Sequence, residues 1–165
     1  MKTPTQDLVQ ELFEYQNGAL FWAVSCGNAS PGTRAGSLRS NGYRQICINK
    51  SSYYEHRLIF LYHHGYLPAE IDHIDNSPAN NRVENLREAT HGQNQRNMKK
   101  HKGSSSQYKG VSWSKRDNRW VAYIMIDGKN KNLGSFVDEI AAALAYNHAA
   151  EIASFGEFAK LNDLG

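Results

Sequence analysis

Asp72 and His73 stand side by side in the run Glu70-Ile71-Asp72-His73-Ile74-Asp75, where polar groups alternate with apolar ones. A carboxylate offers hard oxygen to a divalent cation, and a neutral imidazole near pH 7 takes a proton from water. If the pair lies at a strand end, the pleat turns the two side chains apart, one toward a metal and one toward a water. Asn94, 22 residues beyond Asp72, could add a second oxygen donor from a helix. Hydrolysing a phosphodiester takes an activated water, neutralisation of the pentacovalent charge and stabilisation of the leaving 3′ oxygen. One cation serves the last two and the imidazole serves the first, so three residues complete the set. Against this stands the plainer reading of a lone Asp-His pair as a surface or hydrogen-bonded pair.

These residues need elements to position them. Residues 6–15 have helical spacing, with Leu8, Leu12 and Tyr15 on one stripe, and residues 19–22 read as a short strand after Asn17-Gly18. Residues 25–34 are loop in composition. Residues 43–48 alternate in strand fashion and turn at 49–52 into Tyr53-Tyr54, a hairpin. Helical periodicity returns from Glu55 to His64 and stops at Gly65. The Asp-His strand follows, then a polar loop, a second strand near Leu86, and a short helix opened by Thr90 as N-cap. His56 is expected to pack at its helix start, and His63 and His64 to lie on the surface.

The segment IDHIDNSPANNRVENLREATHGQNQRN resembles the ββα-metal motif of HNH endonucleases of phage and intron homing type. The upstream GYRQICINKSSYYEHRLIFLYHHGYLP resembles the lead-in of that family, so the likeness covers about residues 8–98. It implies His73 as general base, Asp72 and Asn94 as metal ligands, and Asn85 as the central asparagine that ties the loop together and holds the imidazole. Many members carry histidine at the position of Asn94, so this chain follows the H-N-N variant. Amide and carboxylate donors favour Mg²⁺ or Mn²⁺. His91, three residues before Asn94 on one helix face, is a further candidate for the metal or a phosphate. Arg57, Arg87 and Arg96 are candidate phosphate contacts.

Residues 107–162 resemble the plant Apetala-two/ethylene-response-factor DNA-binding domain. The likeness is carried by Tyr108-Lys109-Gly110-Val111, Arg119-Trp120-Val121-Ala122, Leu133-Gly134-Ser135-Phe136 and the alanine-rich helix. That family lays a three-stranded sheet into the major groove and packs a helix on the other face. Alternation gives the same division. Trp120, Ala122, Ile124 and Ile126 share a face for the helix, and Val121, Tyr123 and Met125 face away. Trp113 fits core and interface equally. Strands are expected over 108–113, 119–126 and 131–136, a turn at 127–130, and a helix over 138–154. Lys109, Ser112, Ser114 and Arg116 match or neighbour groove-contacting positions, and Tyr123 lies on the outward face. Lys115, Arg119, Lys129 and Lys131 suit phosphates. Serine, tyrosine and methionine stand where the family has several arginines, which removes bidentate guanine readout.

Residues 99–131 carry nine Lys or Arg against two Asp, +7 in a chain of net +3, which leaves −4 for the remainder. A basic block of that kind suits a polyanion. Two cysteines without C-x-x-C spacing argue against a zinc knuckle or disulfide framework. No apolar run approaches a membrane span, and the start lacks a signal peptide, so a soluble, cytoplasmic chain is expected. The expectation is an α+β protein in three parts: a ββα-metal nuclease domain over 1–98, a basic and serine-rich linker over 99–107, and a three-stranded antiparallel sheet plus one helix over 108–165. The expected activity is metal-dependent, site-biased nicking of double-stranded DNA by a monomer, without a small-molecule cofactor. The rivals are a non-catalytic DNA-binding protein with a decayed nuclease domain and an RNA-directed protein.

Overall fold

The computed structural model describes residues 3–98, 103–153 and 156–165. The basic run Lys99, Lys100 and Lys102 and the helix end expected at Ser154 lie outside them. By its contacts the chain falls into two units, Met1–Ala89 and Thr90–Gly165.

In the first unit, helix α1 (Gln6–Leu12) is capped by Thr5, whose side chain accepts from Leu8 N. The helix expected over 6–15 stops there, because strands β1 (Phe13–Gln16) and β2 (Ala19–Trp22) form a hairpin. Its turn, Asn17-Gly18, has φ of 48° and 83°. Positive φ at both central residues matches the twist of a two-residue hairpin. Phe13 pairs with Trp22, their rings 4.6 Å apart, and that burial outweighs continuation of the helix. Val9 and Phe13 are buried in the core, and the Leu8, Leu12 and Tyr15 stripe packs at its edge.

Strand β3 (Ser37–Leu38) pairs with β4 (Arg44–Ile48), which pairs with β5 (Ser51–Tyr54) around Asn49-Lys50, again at positive φ. Helix α2 (Glu55–His64) follows at once and ends at Gly65 in the left-handed conformation. Leu58, Ile59, Phe60 and Leu61 join Leu20, Ile46 and Ile48 in one core. Strand β6 (Glu70–His73) pairs antiparallel with β7 (Leu86–Ala89), Ile71 and Leu86 facing that core. Between them runs a polar loop that closes with a 3-10 turn at Val83–Asn85.

The second unit opens with helix α3 (His91–Asn97). Thr90 caps it and forms a capping box with Gln93. Strands β8 (Val111–Ser114), β9 (Arg119–Ile126) and β10 (Lys129–Phe136) make an antiparallel sheet with β9 central. Helix α4 (Glu139–Ile152) lies across one face, capped by Asp138. The first strand begins later than expected because Gly110 turns the chain at φ 74°. A Cβ there would stand 2.1 Å from the Tyr146 ring and 2.6 Å from Tyr123 O, so only glycine fits under the helix. No helix among the described residues is long and apolar enough to cross a membrane.

Candidate active site

His73 is the last residue of β6 and is buried, as is Asp72 beside it. Alternation along the strand sends the two side chains to opposite faces. Asp72 faces Arg87 across the β6–β7 pair. Arg87 donates Nε to Asp72 Oδ2 at 2.8 Å, and its Nη2 lies 2.7 Å from the same oxygen. Arg87, expected as a phosphate contact, therefore lies against the carboxylate expected to hold the metal. Both of these contacts fall on Oδ2.

The amide that meets the imidazole is not the expected one. Asn85 ties the loop, as the resemblance implies. Its Oδ1 accepts from Asp75 N at 3.1 Å, and its Nδ2 donates to Asp75 Oδ1 at 2.9 Å and to Asn80 O at 2.8 Å. Those bonds use the whole side chain on the loop. His73 Nε2 lies 2.8 Å from Asn81 Oδ1 instead. Burial pushes the Asp75 carboxyl up, but the bonds from Asn80, Asn85 and Ser77 N outweigh it and hold the group below the usual range.

Behind Asn81 stands Glu55, the first residue of α2, with 1% of its surface exposed. Asn81 Nδ2 donates to Glu55 Oε2 at 3.0 Å, and Leu20 N donates to Oε1 at 3.0 Å. Arg34 Nη2 bridges both oxygens at 2.9 and 3.0 Å. Desolvation raises the Glu55 pKa, and these donors oppose the rise. Aromatic groups wall the His73 ring. His56 sits edge-on with centroids 5.0 Å apart, Tyr43 is at 6.0 Å, and Tyr54 stacks on His56 at 5.6 Å. Burial above all, with help from His73 and Arg57, lowers the His56 pKa to about 3.

Sequence reasoning missed Asn81 and Glu55. In the sequence Asn81 is one letter of a polar loop, and Glu55 is the first residue of a helical stretch. Their burial is a tertiary fact without a spacing signal. Arg57, another phosphate candidate, donates Nη1 to Ala69 O at 3.3 Å and Nη2 to Pro68 O at 2.9 Å, bracing the turn into β6. His63 and His64 are exposed, their rings on Tyr15 and Phe60.

His91, Asn94 and Arg96 all lie on α3 in the second unit, His91 exposed and the other two half-buried. Among the described residues, no three His, Cys, Asp or Glu gather as a metal cluster would. The expected ligand set has one such residue, Asp72, its other member being an amide.

Lys109, expected on DNA, spends its ammonium on α3. It donates to Arg96 O, to Met98 O at 2.7 Å and to Gln95 O at 3.5 Å, cations being favourable at a helix C-terminus. Burial lowers its pKa to about 8. Register assigns the other module residues to faces. Ser112, Ser114, Arg119 and Tyr123 lie on the face away from α4, with Val121, Met125, Asn130 and Asn132. Lys129 and Lys131 pair with Ile126 and Ile124 and so share the helix side. Lys131 lines a groove there with Leu133 and Ile152. Trp113 pairs with Trp120 on the helix side, ring centroids 5.0 Å apart, at the exposed rim. Lys115 and Arg116 are in the β8–β9 turn, Arg116 paired with Asp117 at 3.0 Å in full exposure.

Residues 53–96 match the family model of HNH endonucleases. The chain is 45% identical over 49 residues to the AP2-like ethylene-responsive transcription factor TOE2 of Arabidopsis thaliana, covering 30% of this chain and 10% of that protein. No solved structure matches. The mixed α/β architecture of several small sheets fits an HNH nuclease domain. Protein 3.8 of Escherichia phage T7 is 36% identical over 90 residues, covering 54% of this chain and 73% of that protein. Coverage and identity of that order make the chain a member of the phage T7 protein 3.8 family, one that carries an HNH endonuclease domain.

Proposed function

We propose that the chain is a divalent-metal-dependent DNA endonuclease of phage or mobile-element origin that nicks one strand of duplex DNA. Residues 1–98 form the nuclease, 99–107 the linker and 108–165 the module that holds DNA and biases where the nuclease cuts. The enzyme acts as a monomer in the host-cell cytoplasm, without a small-molecule cofactor. The observation that carries the reading is the state of His73. A buried imidazole, bonded through Nε2 to a buried amide and walled by aromatic rings, adjoins a buried carboxylate that an arginine holds. All of these groups except Tyr43 lie inside the HNH-matched segment.

In this reading His73 takes the proton of the attacking water. Asp72 and Asn94 are the residues that would hold the cation, and their hard oxygens fit Mg²⁺ or Mn²⁺. When bound, the metal supplies charge neutralisation at the phosphorus and at the leaving 3′ oxygen. Arg87 orients Asp72, and Asn85 keeps the loop closed behind the base. His91 is a further candidate for the metal or a phosphate, and Arg96 for a phosphate. In the module, Ser112, Ser114 and Tyr123 meet the groove from the outward sheet face with Arg116 beside them at the turn, and Lys115 and Arg119 contact phosphates. The Arg116–Asp117 pair is exposed and so weak enough to exchange its partner.

Supercoiled plasmid with Mg²⁺ tests this directly. Wild type is expected to yield nicked circles, and His73→Ala to slow nicking by about 10²- to 10⁴-fold. Asp72→Ala, Asn94→Ala and a chelator are each expected to abolish it. Plasmid that stays intact with every divalent metal while wild type still binds it would leave the decayed, binding-only protein as the reading.

A further inference from the structure

We infer that Asn81, locked by Glu55, is a positioning residue that fixes His73 as the Nε2–H tautomer, making Nδ1 the nitrogen that receives the proton from water. The identity of the proton acceptor rests on the endonuclease reading above; the tautomer does not.

Polarity runs one way along this chain of groups. Glu55 is buried and accepts from Leu20 N, from Arg34 Nη2 and from Asn81 Nδ2. An ionised carboxylate only accepts, so the NH₂ end of the Asn81 amide must point at it. The carbonyl end is thereby turned to His73 Nε2 at 2.8 Å. That oxygen also only accepts, so Nε2 carries the hydrogen. A neutral imidazole has one N–H and one lone pair, which leaves the lone pair on Nδ1. Reversing the amide would set its oxygen against the carboxylate, with 3% of Asn81 exposed and little water to mediate. Edge-on His56 and Tyr43 restrain the ring plane.

The test is ring-nitrogen NMR of full-length protein labelled with ¹⁵N in its histidines, at a pH where the His73 ring is neutral. His73→Ala identifies the resonances. Wild type is expected to have a protonated-type Nε2 and an unprotonated-type Nδ1. Asn81→Ala is expected to mix the tautomers and lower kcat about ten- to a hundredfold with KM little changed. The double substitution Asn81→Asp, Glu55→Gln exchanges amide and carboxylate. The new carboxylate accepts from Nε2–H and from the new amide at 55, so it is expected to restore the spectrum and more kcat than either single change. A dominant Nδ1–H form in wild type would overturn the inference, and so would a double variant no better than the worse single one. The wild-type spectrum depends on no variant folding. If wild type leaves DNA intact yet has Nε2–H, the endonuclease reading fails and the tautomer stands.

Discussion

His56 shares its aromatic wall with His73 but must remain uncharged, because burial, the neighbouring His73 and Arg57 lower its pKa to about 3. In the unfolded chain its pKa returns to the ordinary 6.5. Below that value the unfolded state binds a proton that the folded state refuses. The His56 share of stability is thus complete above pH 6.5 and is lost as pH falls toward 3, at about 1.4 kcal/mol per pH unit. Denaturant midpoints near pH 7 and near pH 5 check this, and His56→Gln is expected to flatten the slope by that share. At the residue scale, Asp72 and His73 were legible because polar side chains interrupt an apolar alternation, which makes them visible from chain order alone. Asn81 and Glu55 were not. A buried carboxylate is recognised by its donors, and those of Glu55 come from positions 20, 34 and 81.

Elements were easier to read where a turn has its own chemistry. Asn17-Gly18 and Asp127-Gly128 each adopt positive φ at both residues and join paired strands. Helix α2 runs over its expected span because Gly65 stops it. Helix α1 was read too long, since Tyr15 completes a helical stripe on paper while Phe13 finds Trp22 only in three dimensions. In the module, Gly110 lies where the sheet passes under Tyr146. Gly110→Ala combines a clash with an unfavourable φ, and about 2–4 kcal/mol of destabilisation is expected. A thermal melt is the check, and a melting temperature equal to wild type would refute it. Face assignment makes a second prediction. Arg119→Ala, on the outward face, is expected to weaken DNA binding and lower the salt slope by about 1. Lys131→Ala, on the helix side, is expected to do neither. Titration of labelled duplex at several salt concentrations separates them. Alternation along the strand already turns Arg119 outward with Val121 and Tyr123, whereas the face of Lys131 follows only from its pairing with Ile124.

For the whole molecule, the proposed single imidazole of a monomer would attack one strand, so nicked circles are expected to accumulate well before linear plasmid. Linear product formed from the outset, with a steep dependence on protein concentration, would point to paired copies instead. The uneven charge is legible in the sequence, whereas a division of contacts at Ala89/Thr90 is not, because it depends on α3 being tied to the residues after it through the Lys109 ammonium. The holders of Glu55 bear on how small such a nuclease can be made. The HNH match begins at residue 53, but two of the three groups that hold this carboxylate lie upstream, at Leu20 and Arg34. A fragment trimmed to the match, or a graft of it onto another scaffold, would bring an anion stripped of its cation and of a backbone donor into the support of its own base. On the proposed reading, the transplantable unit therefore includes the leading hairpin and the loop behind it.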